Sequence, residues 1–139
     1  MAVAGPASNL LISLVCVAAI RAGVLAGVFY PPESIGFFSL VGTDLSGPWP
    51  GIAFALSVFF SLNLMMACLN MIPLPPLDGS AAVVLLLGED SARRYQMFVM
   101  QSQGFAMMGL VVAWRVFDFV FDPIFWTAIS IVYPDVSYS

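Results

Sequence analysis

The stretch GIAFALSVFFSLNLMMACLNMI, residues 51–72, runs for 22 positions without a charged side chain. As an α-helix it would be about 33 Å long, which matches the thickness of the hydrocarbon core of a bilayer. Two further apolar runs cover residues 8–30, interrupted only by Arg21, and residues 97–121. Three runs of spanning length predict an all-α integral membrane protein, a bundle of about three transmembrane helices.

The composition favours the same class of protein. Hydrophobic residues make up 61% of the chain and charged residues only 9%, whereas a soluble domain carries roughly 25% charged residues. So few charges cannot cover a water-soluble surface, so the expected partner is the lipid bilayer. Eight acidic residues against four arginines, with no lysine, leave no basic patch and argue against a nucleic-acid partner. The length of 139 residues predicts one membrane domain, residues 1–139.

The segments between the apolar runs contain the residues that end helices. Pro31 and Pro32 are expected to end the first helix, and residues 33–50 to form an extramembrane loop. Residues 88–96 are the most polar part of the chain and are expected to form a loop or an interfacial turn. Pro123 is expected to break or kink the chain, which leaves residues 124–133 as a half-helix, an interfacial helix or a kinked extension.

Three charged residues near the end of the third run lie on one helical stripe. Arg115, Asp118 and Asp122 follow a spacing of i, i+3 and i+7. They could form a paired cluster inside a bundle, but we favour the interpretation that they mark the emergence of the helix into water.

One acidic residue lies between apolar segments in an unusual context. Asp78 follows three prolines within residues 73–76 and precedes Gly79. Acids at membrane depth are rare, and broken backbone there is tolerated only inside protein or beside a water-filled cavity. We therefore predict a proline-broken segment that presents Asp78 in a polar pocket. The plainer alternative is that Asp78 caps a short helix at the membrane interface.

Two motifs of this chain resemble those of the site-2 protease family. An Asn-x-x-Pro sequence followed by Leu-Asp-Gly is similar to the second signature motif of that family; its positions here are Asn70, Pro73, Leu77, Asp78 and Gly79. A smaller motif at the start of the first run is similar to the one that opens the preceding core helix in the family; its positions are Gly5, Pro6 and Asn9. The order of motif, span, acidic loop, span and Asp motif also resembles that family.

The resemblance implies an intramembrane zinc metalloprotease, in a bacterial cell membrane, that cleaves transmembrane protein substrates. In the family, two histidines of an H-E-x-x-H helix and the aspartate that matches Asp78 hold the zinc ion. The glutamate of that helix is the general base. This chain contains no histidine, so Asp78 would be one ligand of three, and the chain alone is expected to be catalytically incomplete. Cys16 and Cys68 have no spacing that predicts a replacement site.

Three interpretations follow from the missing histidines. The chain could be the C-terminal part of a protease whose catalytic helix precedes Gly5-Pro6, which is the interpretation we favour. It could instead be a non-catalytic relative that acts as a membrane-embedded partner. It could also be an unrelated structural or transport membrane protein.

Overall fold

The structure, a computed structural model, describes residues 4–72, 84, 86–101, 103–136 and 138. Within these ranges the chain forms four helices and no strand beyond two isolated β-bridges. The helices are α1 (Ala4–Leu25), α2 (Trp49–Met71), α3 (Glu89–Gln101) and α4 (Gln103–Val132). By length and composition, α1 and α2 are apolar enough to cross a membrane. The predicted all-α membrane class is thus supported by these two helices.

The chain divides into two compact units. One comprises Met1–Ser8 and Met66–Asp122, and the other comprises Asn9–Met65 and Pro123–Ser139. The second unit therefore contains most of α1 and α2, the segment that joins them, and the last part of α4. We call the stretch between α1 and α2, residues 28–47, the hairpin loop.

Helix α1 ends before the predicted prolines because a glycine caps it. The N–H of Val28 donates to the carbonyl of Gly23 at 2.9 Å, and that of Gly27 donates to Val24 at 3.0 Å. This pair of bonds is the Schellman motif, which needs a left-handed residue, and Gly27 has a φ of 72°. The prediction that α1 continues to Pro31 was therefore wrong, since the chain turns at Gly27.

The hairpin loop folds back on itself instead of running freely. Tyr30 and Gly42 exchange two backbone hydrogen bonds of 2.9 Å, and Gly36 and Ser39 form a second bridge around a tight turn. A Cβ atom at Gly42 would collide with the Tyr30 ring. Thr43 Oγ1 donates to the Val28 carbonyl at 2.7 Å and closes the base of the loop. The loop is thus an ordered part of the second unit.

The main chain of Leu40 joins this loop to two helical segments. Its N–H donates to Ser57 Oγ of α2 at 3.0 Å, and its carbonyl accepts a 2.8 Å bond from the hydroxyl of Tyr133, just after α4. Leu40 is fully buried, and Tyr133 is 4% exposed. Water cannot replace either bond at such a position, so both partners are needed to satisfy the peptide groups. We call Leu40, Ser57 and Tyr133 the Leu40 clamp.

Helix α4 continues through Pro123 to Val132, so among the alternatives predicted for this proline the break is not found and residues 124–132 extend the helix. The three residues that follow at helical spacing and are buried, Phe125, Ile129 and Val132, form one apolar stripe. Burial of that stripe offsets the hydrogen bond that the proline removes. Prolines are tolerated in apolar helices of this kind when neighbouring groups satisfy the freed backbone. Residues 124–133 are therefore mostly the end of α4.

The polar stretch at residues 88–96 is helical, so the predicted loop was also wrong. Glu89 and Asp90 lie in the first turn of α3, where carboxylates favour the positive end of the helix dipole. Arg93 and Arg94 follow each acid by four residues, a spacing that stabilises helices. The charges form an exposed face of α3 and do not interrupt it. The third predicted span, residues 97–121, thus falls on the end of α3 and the first part of α4.

Side-chain size separates the buried and exposed faces of α1 and α2. The buried positions combine small residues with a few large ones; they are Pro6, Ser13, Cys16, Ile20, Ala53, Ser57, Phe60, Ser61, Leu64, Ala67 and Cys68. Large apolar residues such as Leu11, Leu14 and Phe59 are exposed. Small residues inside and large apolar residues outside are typical of helices packed in lipid, where close backbone approach replaces the hydrophobic effect.

Replacement of Tyr133 by phenylalanine tests the Leu40 clamp. The variant leaves the Leu40 carbonyl buried without its partner, so we expect a loss of about 1–3 kcal/mol in the free energy of unfolding. Tyr138→Phe is the matched control, because the Tyr138 hydroxyl donates to the Pro32 carbonyl at a half-buried position. We expect that control to lose less than about 1 kcal/mol. Unfolding by a denaturing detergent measures both, and equal losses would contradict the role of the clamp.

The same tyrosine predicts a pH dependence. Burial raises the pKa of the Tyr133 phenol well above its ordinary value near 10. Above about pH 10 the unfolded chain releases this proton while the folded chain retains it, so stability falls as the pH rises. Unfolding measured from neutral pH to about pH 11 should therefore show a decline that is smaller in Tyr133→Phe. An identical decline in both proteins would contradict this prediction.

Candidate functional site

The first motif lies in the opening turns of α1. Gly5 and Pro6 are the second and third residues of the helix, where a proline removes no donor that the helix needs. Pro6 is buried, and Gly5 and Asn9 are half-buried. The carbonyl of Asn9 accepts a 3.0 Å hydrogen bond from Ser13 Oγ, one turn later. The motif is therefore helical and partly enclosed.

The second motif begins at the end of α2. Asn70 is half-buried and is the penultimate residue of the helix, which closes with a 3.2 Å bond from the N–H of Ile72 to the carbonyl of Leu69. The helix thus ends immediately before the predicted proline-broken segment. The remaining motif residues, Pro73, Leu77, Asp78 and Gly79, lie outside the described residues.

Part of the first motif lies in the same compact unit as the start of the second motif. Gly5 and Pro6 belong to the unit that also contains Asn70, while Asn9 is the first residue of the other unit. The chain therefore folds the start of α1 together with the end of α2, although 64 positions separate Pro6 from Asn70 in the sequence.

Asn63 lies seven residues before Asn70 on the same face of α2. Its side chain has a structural role. Its Nδ2 donates to the Phe59 carbonyl of its own helix at 2.8 Å. Ser61, two residues earlier, is fully buried, and its hydroxyl has no hydrogen-bond partner among the described residues.

The described residues do not form a zinc site by themselves. No group of three or more His, Cys, Asp or Glu side chains comes together in the part of the chain that the structure describes. Cys16 and Cys68 are both buried and free. The sequence contains no histidine, so the two imidazole ligands of the H-E-x-x-H motif are not among these 139 residues.

The sequence interpretation missed a cavity at the other end of α1. The only charge within the first apolar run, Arg21, lines this cavity together with residues that follow α4. An arginine inside a span is a signal of such a site, but its partners are more than 100 positions away and could not be predicted from spacing.

Comparison of the chain with models of protein families, with curated proteins and with solved structures finds no match.

The membrane orientation of the motifs can be tested with single cysteines. Arg93 and Arg94 form the only basic pair in the sequence, so we expect them on the cytoplasmic side and the hairpin loop outside. Ser46 and Ser91 are exposed positions near each region. In intact cells an impermeant thiol reagent should label Ser46→Cys and not Ser91→Cys. Labelling of Ser91→Cys alone would reverse the orientation.

Proposed function

We propose that this chain forms the C-terminal half of an intramembrane zinc metalloprotease of the site-2 protease type, which cleaves transmembrane substrates in a bacterial cell membrane. The observation that carries the proposal is the sequence motif of Asn70, Pro73 and Leu77-Asp78-Gly79, directly after an apolar helix of spanning length. Asp78 is the residue we assign as a zinc ligand.

The end of α2 supports this assignment. Asn70 occupies the last turn, and the helix ends at Met71, two residues before the prolines begin. Backbone without helical hydrogen bonds at membrane depth has to be satisfied by protein or by a water-filled cavity. A water-containing pocket is also what peptide hydrolysis requires. In the proposed site Asn70 supports the pocket and the prolines hold Asp78 toward it.

The start of α1 supports the proposal independently. Gly5 and Pro6 fold into the same unit as Asn70. In the proposed protease the first motif has to lie near the second, since both line the active site. Glycine at this position leaves room for a neighbouring chain to approach the helix closely.

The architecture that we propose has three spanning helices, α1, α2 and α4, with the proline-broken segment between α2 and α3. Helix α4 is 30 residues long, or about 45 Å, so it exceeds the hydrocarbon core. Its large apolar side chains are exposed, as for Met107 at 70%, Trp114 at 71% and Phe119 at 83%. Such a surface fits lipid, or the further helices of a complete protease.

The zinc ion requires ligands from outside these 139 residues. Catalytic zinc takes three protein ligands and keeps an open position, where it lowers the pKa of bound water to about 7. This chain offers the carboxylate of Asp78, and an H-E-x-x-H helix would provide two imidazoles and the general base. The contribution of the chain itself is therefore one ligand, the broken segment that holds it, and the enclosing helices.

The absence of histidine from the sequence also favours a second candidate function. Without a second segment, the chain would act as a non-catalytic, membrane-embedded partner that binds transmembrane segments. Zinc binding and cleavage distinguish this candidate from the first.

The activity prediction compares the chain with and without an added catalytic helix. We expect the 139-residue chain to bind little zinc and to cleave no model transmembrane substrate, because Asp78 lacks partner ligands. Joined to an upstream segment that carries H-E-x-x-H, it should bind zinc and cleave. Asp78→Ala should then abolish cleavage, while Asp90→Ala, an exposed carboxylate on α3, should leave it unchanged.

Metal analysis and substrate cleavage are the two measurements, with membrane insertion as the control for folding. Stoichiometric zinc and Asp78-dependent cleavage in the short chain would contradict the requirement for an added helix. Full activity of Asp78→Ala in the joined protein would contradict the assignment of Asp78. No zinc binding by the joined protein would favour the non-catalytic partner.

A further inference from the structure

A cavity of about 220 Å³ lies where α1 and α4 end, inside the second compact unit. Its apolar lining includes Val24 and Leu25 at the end of α1, and Val132 and Val136 at and beyond the end of α4. Its two charged lining residues are Arg21 and Asp135. The cavity is smaller than the roughly 300–1,000 Å³ of drug-sized ligand pockets, so it suits a small polar group attached to something larger.

The guanidinium of Arg21 is only partly used. Its Nη1 donates to the Ile131 carbonyl at 2.9 Å. This is the hydrogen bond that the side chain makes within the part of the chain that the structure describes. A guanidinium has five N–H donors in a planar fork, and this geometry matches the oxygens of a phosphate. The bond to Ile131 fixes the side chain and leaves most of its donors available.

The cavity is also lined by a residue of negative charge, Asp135. Asp135 lies in a turn closed by a 3.3 Å bond from the N–H of Val136 to the Tyr133 carbonyl, and its side chain is exposed. The C-terminal ends of α1 and α4 line the same cavity, and helix C-termini carry partial negative charge. The Asp135 carboxylate is a hydrogen-bond acceptor, and together with the negative ends of the two helix dipoles it favours a ligand cation that has N–H donors.

The depth of the cavity follows from its place on α1. Arg21 lies one turn before the end of a 22-residue helix that is long enough to cross a membrane. Arginines near the ends of spanning helices reach the headgroup layer. A ligand at this depth that carries both a phosphate and an ammonium group is a phospholipid headgroup.

We propose that this cavity binds the headgroup of a zwitterionic phospholipid with a primary ammonium group, as in phosphatidylethanolamine. Arg21 binds the phosphate, the Asp135 carboxylate accepts from the ammonium group, and the apolar lining contacts the start of the acyl chains. The site is separate from the Asp78 motif and does not depend on the proposed protease activity.

The test uses the full chain in dodecyl maltoside with dioctanoyl lipids, and native mass spectrometry measures lipid binding. Dioctanoyl phosphatidylethanolamine should bind more tightly than the phosphatidylglycerol and phosphatidylcholine analogues, which lack a charged N–H donor. Arg21→Gln should weaken binding of phosphatidylethanolamine about tenfold, since a charge-assisted hydrogen bond is lost. Asp135→Asn should weaken phosphatidylethanolamine by a similar factor and leave phosphatidylglycerol unchanged or tighter. Arg94→Gln, on the surface of α3, is the matched control.

Arg21→Gln also removes the bond to Ile131 and could loosen the fold, so Asp135→Asn, which leaves that bond intact, decides the matter. Unchanged binding of phosphatidylethanolamine in Asp135→Asn, or equal binding of the three headgroups, would overturn the proposal. Displacement of the lipid by inorganic phosphate at equal concentration would also overturn it, because it would indicate a site for free anions.

Discussion

The second compact unit depends on one buried peptide segment, the main chain of Leu40. A loop between two apolar helices normally satisfies its backbone with water, but within this loop Leu40 is fully buried. Its N–H and carbonyl are satisfied by Ser57 and by Tyr133, so α2 and the end of α4 are both fixed to the loop. Loss of either partner would leave a buried polar group unpaired, which costs more than the bond itself contributes. At less buried positions, the bond from Arg21 to Ile131 joins α1 to the end of α4, and the bond from Tyr138 to Pro32 joins the hairpin loop to the residues after α4.

The distribution of side chains explains why so few polar contacts are sufficient. Most of the buried positions on α1 and α2 are serines, alanines and cysteines, with Ile20, Phe60 and Leu64 among them, while many leucines, phenylalanines and methionines are exposed. In water this arrangement would expose a large apolar surface at high cost. In lipid that surface carries no such cost, and close contact between helices stabilises the assembly. The exposed apolar side chains and the composition of the chain therefore both favour lipid as the surroundings of these helices.

The sequence predicted the helical class, and it predicted the second helix closely. The predicted span was residues 51–72, and the observed helix α2 is Trp49–Met71. Long apolar runs determine these features without help from distant residues. The predictions failed where a local signal had two meanings. Pro123 left a break and a kinked extension open, and burial of Phe125 and Ile129 stabilises the extension, so that α4 is continuous. The charges at residues 89–94 predicted a loop, although their spacing of four is equally typical of an exposed helix.

The candidate site was predictable only as a motif. Asn70, Pro6 and Gly5 are in helical positions next to helix ends, while Asp78 lies outside the described residues. The Leu40 clamp and the cavity at Arg21 could not be predicted. Both join residues that are about 100 positions apart. The periodicity of a single helix does not predict which distant residue will contact it.

The separation between Leu40 and Tyr133 also affects the order of biosynthesis. The two residues are 93 positions apart, and at ordinary translation rates the ribosome needs roughly 5 to 20 seconds to make the intervening chain. During that interval α1, the hairpin loop and α2 have been synthesised, but the Leu40 carbonyl has no tyrosine partner. Water must satisfy the Leu40 carbonyl until Tyr133 has been made. The second unit is therefore completed late in synthesis. Until then α1, the hairpin loop and α2 lack their contacts with the end of α4.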